Sequence, residues 1–192
     1  EVLLNKKEKD LKVKYDQLIK LANILDDNRK KVIPKITNHI EDILINLGIP
    51  HAQFQINLQQ TNELHSFGCS NISMQFCANK GGEMKELMRV ASGGELSRLM
   101  LAIKFLSAQN SSISTLIFDE IDSGVSGEIA SLMGNMMQNI SKSNQLIVIS
   151  HLPQIASKAK THLKVLKQIV NNKTTSTIHK LRNEDRVEEI AK

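Results

Sequence analysis

Three short segments of this 192-residue sequence combine residue types that could bind or react with a phosphate group. The first is Ser92-Gly93-Gly94-Glu95, which directly precedes a helical pattern. Glycines let the backbone approach a ligand closely, and the amides at a helix N-terminus favour an anion. A capping box, with Ser92 as the cap and Glu95 three residues later, explains the same residues equally well. The tetrapeptide alone leaves both interpretations open.

The second segment places two adjacent carboxylates after the apolar run 115–118, which predicts a buried β-strand. Asp119 and Glu120 then lie at the carboxyl end of that strand, the edge of an α/β sheet at which ligands bind. Asp119 has the chemistry to hold Mg²⁺, and Glu120 can polarise a water molecule that attacks a γ-phosphate. The alternative is a polar strand end that merely begins the next loop.

The third segment is a second apolar run, 146–149, followed by Ser150 and His151. It predicts another buried strand that ends in a single histidine. A histidine in this position can sense or stabilise a γ-phosphate. A structural role for a single histidine after a strand is an equally good explanation, so the residue alone does not decide.

The N-terminal region predicts a long helix with an apolar residue at every seventh position: Leu4, Leu11, Leu18, Leu25 and Val32. Pro34 is expected to end or kink this helix near Ile33, with a second helix continuing to about Leu47. We interpret the region as the returning arm of a coiled coil. The alternative is an amphipathic helix packed on its own domain.

The rest of the sequence predicts strands and helices that alternate in the second half. Apolar residues alternate with polar ones over 52–58 and 72–76, which predicts two half-buried strands, and a turn follows at 79–82. Helices are predicted at 93–108, 127–140 and from 153, strands at 115–118 and 145–149, a hairpin around Asn171-Asn172-Lys173, and a last helix at 185–192. This order predicts an α/β fold with a largely parallel layer.

The composition is that of a soluble globular protein, with 41% hydrophobic and 23% charged residues. Aromatic residues make up only 3%, which argues against a stacking platform for single-stranded nucleic acid. A net charge of +5 permits contact with nucleic acid without requiring it. Cys69 and Cys77 form no CxxC pair, so neither a zinc site nor a disulfide is expected. No apolar run reaches membrane-spanning length, and we expect a cytoplasmic protein.

The order of the three segments resembles the ABC ATPase superfamily. The resemblance places the signature motif at 92–95, the Walker B strand at 116–120, the switch histidine at His151 and the D-loop at 121–127. The stretches ASGGELSRLMLAIK, FDEIDSGVSG and ISHLPQIAS are similar to the bacterial DNA-repair branch related to the SMC proteins, and the resemblance covers nearly the whole chain. Ile121 stands where transporter ATPases usually have proline, and Ser126 where many relatives have the D-loop aspartate.

The resemblance implies the C-terminal lobe of an ABC/SMC-type ATPase head, with the end of a coiled-coil arm at 1–48 and the head lobe at 49–192. It implies Asp119 as a ligand of the Mg²⁺ that accompanies ATP, and Glu120 and His151 as catalytic residues. The γ-phosphate of an ATP held by a second head would be contacted by the signature residues Ser92, Gly93, Gly94 and Glu95.

The resemblance also implies partners: the N-terminal half of the same head, a second head in a homodimer, and DNA, at the nucleoid and without a membrane partner. No GxxxxGK[ST] P-loop occurs in the 192 residues. In the family that motif lies in the N-terminal half of the head. We therefore expect the full-length protein to hydrolyse ATP and the isolated chain to be inactive.

Four alternatives remain at this point: a degenerate ABC-like scaffold without catalysis, a head of the chromosome-condensing or RecF-like branch, a transporter ATPase, and a nuclease or metalloenzyme. The lack of a carboxylate or histidine cluster with metal-site spacing argues against the last of these. The combination of Ser92, Asp119, Glu120 and His151 argues against the scaffold. The stretch HLPQIAS favours the DNA-repair branch over the other SMC-type heads. The coiled-coil start and the lack of membrane cues argue against the transporter ATPase.

Overall fold

The computed structural model describes residues 2–90, 92–110, 113–170 and 173–191 of the chain. The chain divides into two compact units. The first comprises residues 1–45 and 49–91, and the second comprises residues 46–48 and 92–192. The three residues 46–48, at the end of the long N-terminal helix, therefore belong with the second unit.

The N-terminal region is one helix, α1 (Val2–Asn46). The prediction that a second helix begins after Pro34 is wrong, because α1 continues through this residue. A proline inside a helix removes one hydrogen bond to the preceding turn, and the bonds on either side can still hold the helix together. The sequence therefore predicted the helical region correctly but placed a boundary at Pro34 that the structure does not have.

The heptad row of α1 remains exposed over the first half of the helix. Leu4, Leu11 and Leu18 are 61%, 71% and 49% exposed. The buried residues of α1 begin only at Ala22. An exposed apolar row of this period is the surface that one helix of a coiled coil presents to its partner. Over these residues α1 is not packed against its own unit.

Three antiparallel strands complete the first unit: β1 (Gln53–His65), β2 (Gly68–Cys77) and β3 (Lys85–Glu86). They confirm the two predicted strands, but the predicted half-burial fails in β2 at Ile72 and Met74, which are exposed. Phe54 lies opposite Phe76 in the β1–β2 register, and both are 2% exposed. The predicted turn is also present, because the Gly82 N–H donates to the Asn79 carbonyl at 3.1 Å.

A buried aspartate attaches α1 to β2 within the first unit. Asp26 accepts hydrogen bonds from the Ser70 hydroxyl, from Arg29 Nη1 at 3.1 Å and from the Cys69 thiol at 3.6 Å. The Ser70 hydroxyl above all, with help from Arg29, holds the pKa of Asp26 below its ordinary value of 3.8, although burial acts in the opposite direction. A hydrogen-bonded carboxylate therefore fixes the position of α1 on the β1–β2 hairpin.

The second unit follows the predicted order of helices and strands. Its elements are α2 (Gly93–Asn110), β4 (Thr115–Asp119), α3 (Gly127–Ile140), β5 (Gln145–Ile149), α4 (Pro153–Ala156), β6 (Leu163–Val170), β7 (Lys173–Lys180) and α5 (Asn183–Ile190). β4 and β5 pair in parallel, which confirms an α/β fold. Its core includes Leu99, Leu101, Ala130 and Met133, all 0% exposed.

The sheet formed by β4 and β5 buries only one of its two faces. Leu116 and Phe118 are buried, whereas Ile117, Ile147 and Ile149 are 65%, 44% and 53% exposed. The prediction of two buried strands therefore holds for one face of the sheet and is wrong for the other in the described chain. Successive side chains of a strand point to opposite faces, and here only one of the two faces is covered.

The strands β6 and β7 form an antiparallel hairpin, which is a separate sheet. Their register runs from Leu163 opposite Lys180 to Val170 opposite Lys173. The predicted turn residues Asn171 and Asn172 lie outside the described residues. The expectation of a largely parallel layer holds for β4 and β5 and not for this hairpin. None of the helices described here is both long and apolar enough to cross a membrane.

Candidate functional site

The parallel pairing of β4 and β5 brings the acidic and the histidine segments to one edge of the sheet. Asp119, the last residue of β4, lies opposite Ile149, the last residue of β5. Glu120 follows directly after β4, and His151 lies two residues beyond β5. All three residues are exposed, the His151 side chain by 72%. The carboxyl edge of such a sheet is where ligands bind in α/β proteins.

Glu120 has a strained backbone. Its φ is 49°, and it is the only non-glycine residue in the described part of the chain with a positive φ. A left-handed conformation costs a residue of this type about 1–3 kcal/mol, and such strain clusters at functional sites. The Glu120 N–H still donates to the Ile149 carbonyl at 3.1 Å, so the residue remains attached to β5. The chain therefore turns sharply away from the sheet at the candidate catalytic carboxylate.

The turn that follows buries a carboxylate that the sequence did not single out. Asp122 is 0% exposed, and its Oδ2 accepts hydrogen bonds from the Ser150 hydroxyl at 2.5 Å and from the His151 N–H at 3.3 Å. His151 Nδ1 lies 3.5 Å from the same oxygen. The run FDEIDSG shows a third acid close to the first two, but its burial depends on turn geometry that no local pattern reveals.

The signature segment begins α2 with a capped and exposed end. The Ser92 hydroxyl accepts the Glu95 N–H at 3.5 Å, and the Ser92 carbonyl accepts the Leu96 N–H at 3.0 Å. Ser92 and Gly93 are both exposed. The helix cap is therefore real, and it does not prevent these residues from contacting a ligand. Ala91, which precedes them in the motif, lies outside the described residues.

The two signature glycines have different surroundings. A Cβ added to Gly94 would lie 2.8 Å from the Gly124 carbonyl oxygen, whereas one added to Gly93 would meet nothing within 4 Å. Gly94 is buried, and its missing side chain lets the start of α2 contact the turn that carries Asp122. Only Gly93 therefore has the open approach that the sequence suggested for both glycines.

Arg98 connects α2 to the residues that follow α1 within the second unit. Its Nε donates to the Gly94 carbonyl at 3.0 Å, and its Nη1 donates to the Leu47 carbonyl at 3.1 Å. Burial lowers the pKa of Arg98 from its usual value, and Glu95 opposes this effect. The guanidinium satisfies a carbonyl that the end of a helix leaves without an internal partner. The signature helix is thereby held directly against residues 46–48.

A cavity of about 580 Å³ lies between β5 and β6. It is lined by consecutive residues of both segments, 146–150 and 161–165, as well as by residues of α3 and α4. Because successive side chains of a strand point to opposite faces, a cavity that touches consecutive residues follows the edge of the strand. The cavity therefore runs along the edge of β5 and has the shape to receive an extended segment. We call this cavity the slot.

Hydrogen bonds show which backbone groups of β5 face this slot. The Gln145 N–H donates to the Ser114 carbonyl at 2.8 Å, and the Ile149 carbonyl accepts the Glu120 N–H. Gln145 and Ile149 therefore direct their backbone groups towards β4. Alternate residues of a parallel strand bond to opposite neighbours, so Val148 directs its N–H and carbonyl towards the slot. In the described chain this edge of β5 has no strand beside it.

Comparison with known proteins distinguishes among the protein families that the sequence resembles. No protein-family model matches the chain. It is 35% identical to the DNA repair protein RecN of Deinococcus radiodurans, over 95% of this chain and 32% of that protein. It is 31% identical to the DNA repair protein RecN of Bacillus subtilis, over 97% of this chain and 35% of that protein. The chain is therefore similar to RecN proteins over almost its whole length. It spans about a third of the length of these relatives.

Solved structures establish the fold of the RecN-like chain. An Smc head domain with a coiled coil and joint from Pyrococcus yayanosii has a TM-score of 0.66 at 18% identity, over 99% of this chain and 36% of that one. An Smc head domain with an extended coiled coil from Pyrococcus furiosus, bound to the C-terminal domain of ScpA, gives 0.63 at 21% identity, over 100% and 47%. At these identities the likeness concerns the fold alone, and it confirms the predicted class of an SMC-type head with a helical extension.

Proposed function

We propose that the RecN-like chain is the C-terminal part of an SMC-like ATPase head that acts in the repair of DNA double-strand breaks by recombination. The observation that carries the proposal is the edge of β4 and β5, where Asp119, the strained Glu120 and His151 lie together. The relatives named DNA repair protein RecN support the biological role. Residues 1–48 would end the coiled-coil arm and 49–192 would form the head lobe, in the cytoplasm at the nucleoid.

The exposed carboxylate of Asp119 fits a magnesium ion that binds together with ATP. In the described ranges no group of three His, Cys, Asp or Glu side chains could hold a metal ion by itself. Mg²⁺ that accompanies a nucleotide is held by one or two carboxylates, by phosphate oxygens and by water, so a single protein carboxylate is appropriate. When bound, the ion neutralises charge that develops on the phosphates.

The other residues of the edge supply the chemistry of hydrolysis. Glu120 would orient the attacking water and accept its proton, and His151 would donate a hydrogen bond to the γ-phosphate. At the exposed start of α2, Ser92 and Gly93 would contact the γ-phosphate of an ATP on a second head. ATP would thus hold two heads together, hydrolysis would release them, and the arms would convert this cycle into the holding of DNA.

Replacing Glu120 by glutamine in the full-length protein tests this proposal. We expect ATP turnover to fall by about 10²- to 10⁴-fold, because an amide cannot accept the proton of the attacking water. Binding of ATP should persist, because the change leaves Asp119 and the signature segment intact. Glu128→Gln is the matched control: it removes an exposed acid in the first turn of α3 and should leave turnover unchanged. Turnover of Glu120→Gln close to that of the unchanged protein would favour a scaffold without catalysis.

The slot beside β5 supports the N-terminal half of the same head as a partner. Backbone N–H and carbonyl groups need hydrogen-bond partners when they are buried, and those of Val148 face the slot without a neighbouring strand. An extended segment of the upstream half would satisfy them by adding a strand between β5 and β6. The length of the relatives supports this source, since this chain spans about a third of it. The same half would cover the exposed Ile117 and Ile147.

The distribution of charge supports DNA as a partner. Between Glu128 and Glu184 the sequence contains no acidic residue and eight basic ones: Lys142, Lys158, Lys160, Lys164, Lys167, Lys173, Lys180 and Arg182. The strand β7 lies inside this stretch, is exposed along its whole length, and consists of Lys, His, Thr and Ser residues with a single Ile. Lysine and hydroxyl side chains are typical donors to DNA phosphates. We infer that the β6–β7 hairpin contacts the DNA backbone.

The salt dependence of DNA binding tests this surface. Each lost phosphate contact reduces the slope of log affinity against log salt by about 0.9, so replacing Lys167, Lys173 and Lys180 by alanine should reduce it by about 2–3. The charge-matched control replaces Lys6, Lys7 and Lys9, which are exposed on α1. An equal reduction in both variants would mean that net charge, and not the hairpin, accounts for binding.

A further inference from the structure

Asp122 is the one acidic residue of the segment 119–122 that cannot reach a ligand. Asp119 and Glu120 are exposed, whereas Asp122 is 0% exposed and lies in the turn after β4. Its contacts join that turn to the residues that follow β5. Burying a carboxylate costs free energy unless hydrogen bonds compensate. A buried carboxylate next to a candidate site is therefore expected to have a role there.

The contacts of Asp122 involve two consecutive residues, Ser150 and His151. Its Oδ2 accepts the His151 backbone N–H at 3.3 Å and lies 3.5 Å from His151 Nδ1. The same oxygen accepts the Ser150 hydroxyl at 2.5 Å, and the Ser150 oxygen in turn accepts the Leu152 N–H at 3.0 Å. A single carboxylate oxygen therefore accepts the His151 backbone N–H and also lies within ion-pair distance of the His151 ring. The other oxygen, Oδ1, is buried and has no partner in the part of the chain that the structure describes.

We propose that Asp122 is a positioning residue, which holds the His151 ring with its Nδ1 towards the interior and its Nε2 towards the phosphate. The proposal rests on the proposed function, in which His151 contacts the γ-phosphate. A carboxylate beside Nδ1 accepts a hydrogen bond from a proton on that nitrogen, and Nε2 donates to the phosphate when the ring carries a proton on both nitrogens. The ring is then anchored at one nitrogen, although 72% of the side chain is exposed.

The contact between Asp122 and His151 also links the histidine to the signature segment. The turn that carries Asp122 begins at the strained Glu120 and ends at Gly124, which contacts Gly94 of the signature segment. A shift of the start of α2 therefore displaces the turn, and the turn holds the His151 ring. The His151 ring is therefore oriented only while the turn keeps its position. The same turn fixes the backbone of Glu120.

A double-mutant cycle in the full-length protein tests the proposal through ATP turnover. We expect Asp122→Asn to lower kcat by about 10- to 100-fold with little change in KM, because loss of an orienting carboxylate typically costs that much. In a protein that already carries His151→Ala, Asp122→Asn should cost almost nothing further, since the residue acts through His151. Two losses that multiply in the double variant would overturn the proposal.

Two further measurements separate positioning from folding. Asp26→Asn is the matched control, because Asp26 is also a buried aspartate that accepts a serine hydroxyl, in the other unit; it should lower stability without a comparable loss of kcat. In the unchanged full-length protein with bound ATP, nitrogen NMR of histidine should find a proton on Nδ1 of His151, and an Nδ1 without a proton would overturn the proposal. Absence of ATP turnover in the unchanged full-length protein would instead refute the proposed function.

Discussion

Gly94→Ala is expected to destabilise the full-length protein by about 1–3 kcal/mol and to lower its ATP turnover sharply, because the added methyl group overpacks a backbone contact. The new Cβ would lie 2.8 Å from the Gly124 carbonyl oxygen, and neither partner is a flexible side chain that could move aside. The turn would have to shift, and with it Asp122 and the backbone of Glu120. Thermal unfolding and steady-state turnover measure the two effects.

Gly93→Ala is the matched comparison, since the same methyl group is added one residue earlier. It meets nothing within 4 Å, and alanine is favoured over glycine in a helix by about 1 kcal/mol, so stability should be kept or slightly raised. If Gly93 approaches the γ-phosphate on a second head, turnover and ATP-dependent dimerisation should still fall. A stable Gly94→Ala protein with normal turnover would show that the Gly94–Gly124 contact does not position the turn.

The residues with recognisable local chemistry could be predicted from the sequence. The apolar runs before Asp119 and His151 predicted the order of β4 and β5 and their bounds to within one residue, because strand periodicity is a local property. The parallel pairing that brings their ends together followed from the alternation of strands and helices. The placement of Asp119, Glu120 and His151 at one edge was therefore accessible before the structure.

The contacts that organise these residues could not be predicted in this way. Asp122 is buried because the backbone turns at the positive φ of Glu120, and glutamate gives no local indication of such a conformation. The different surroundings of Gly93 and Gly94 depend on a backbone 30 residues away in the sequence, at Gly124. The prediction at Pro34 failed for a related reason. The local rule that proline interrupts a helix predicted a division there, but α1 continues through this residue.

The sheet formed by β4 and β5 is buried on only one face, and the exposed face needs an explanation. Ile117, Ile147 and Ile149 form an apolar surface on a chain that spans about a third of its relatives. A parallel sheet is normally covered on both faces. The exposed face and the open edge of β5 therefore fit one explanation, in which another part of the full-length protein completes this sheet.

Val148→Pro is expected to prevent assembly with the N-terminal half while leaving the fold of the present chain intact. Val148 directs its N–H towards the slot, and proline is tolerated on an edge strand where the N–H has no partner strand. The added strand could no longer bond at this residue, and the ring would obstruct its approach. Mixing the separately expressed halves should therefore give neither a stable complex nor ATP turnover, whereas circular dichroism of the present chain should change little.

Ile147→Pro is the control that makes this result specific, because Ile147 directs its N–H towards β4, opposite Ile117. Loss of that bond should destabilise the chain itself by about 1–3 kcal/mol, since a carbonyl of β4 is left unsatisfied. The two variants differ by one position along the same strand, so a general intolerance of β5 to proline would affect both chains alike. Normal assembly of the Val148→Pro chain would mean that the slot beside β5 does not receive a strand, and the N-terminal half would have to contact the exposed face of the sheet alone.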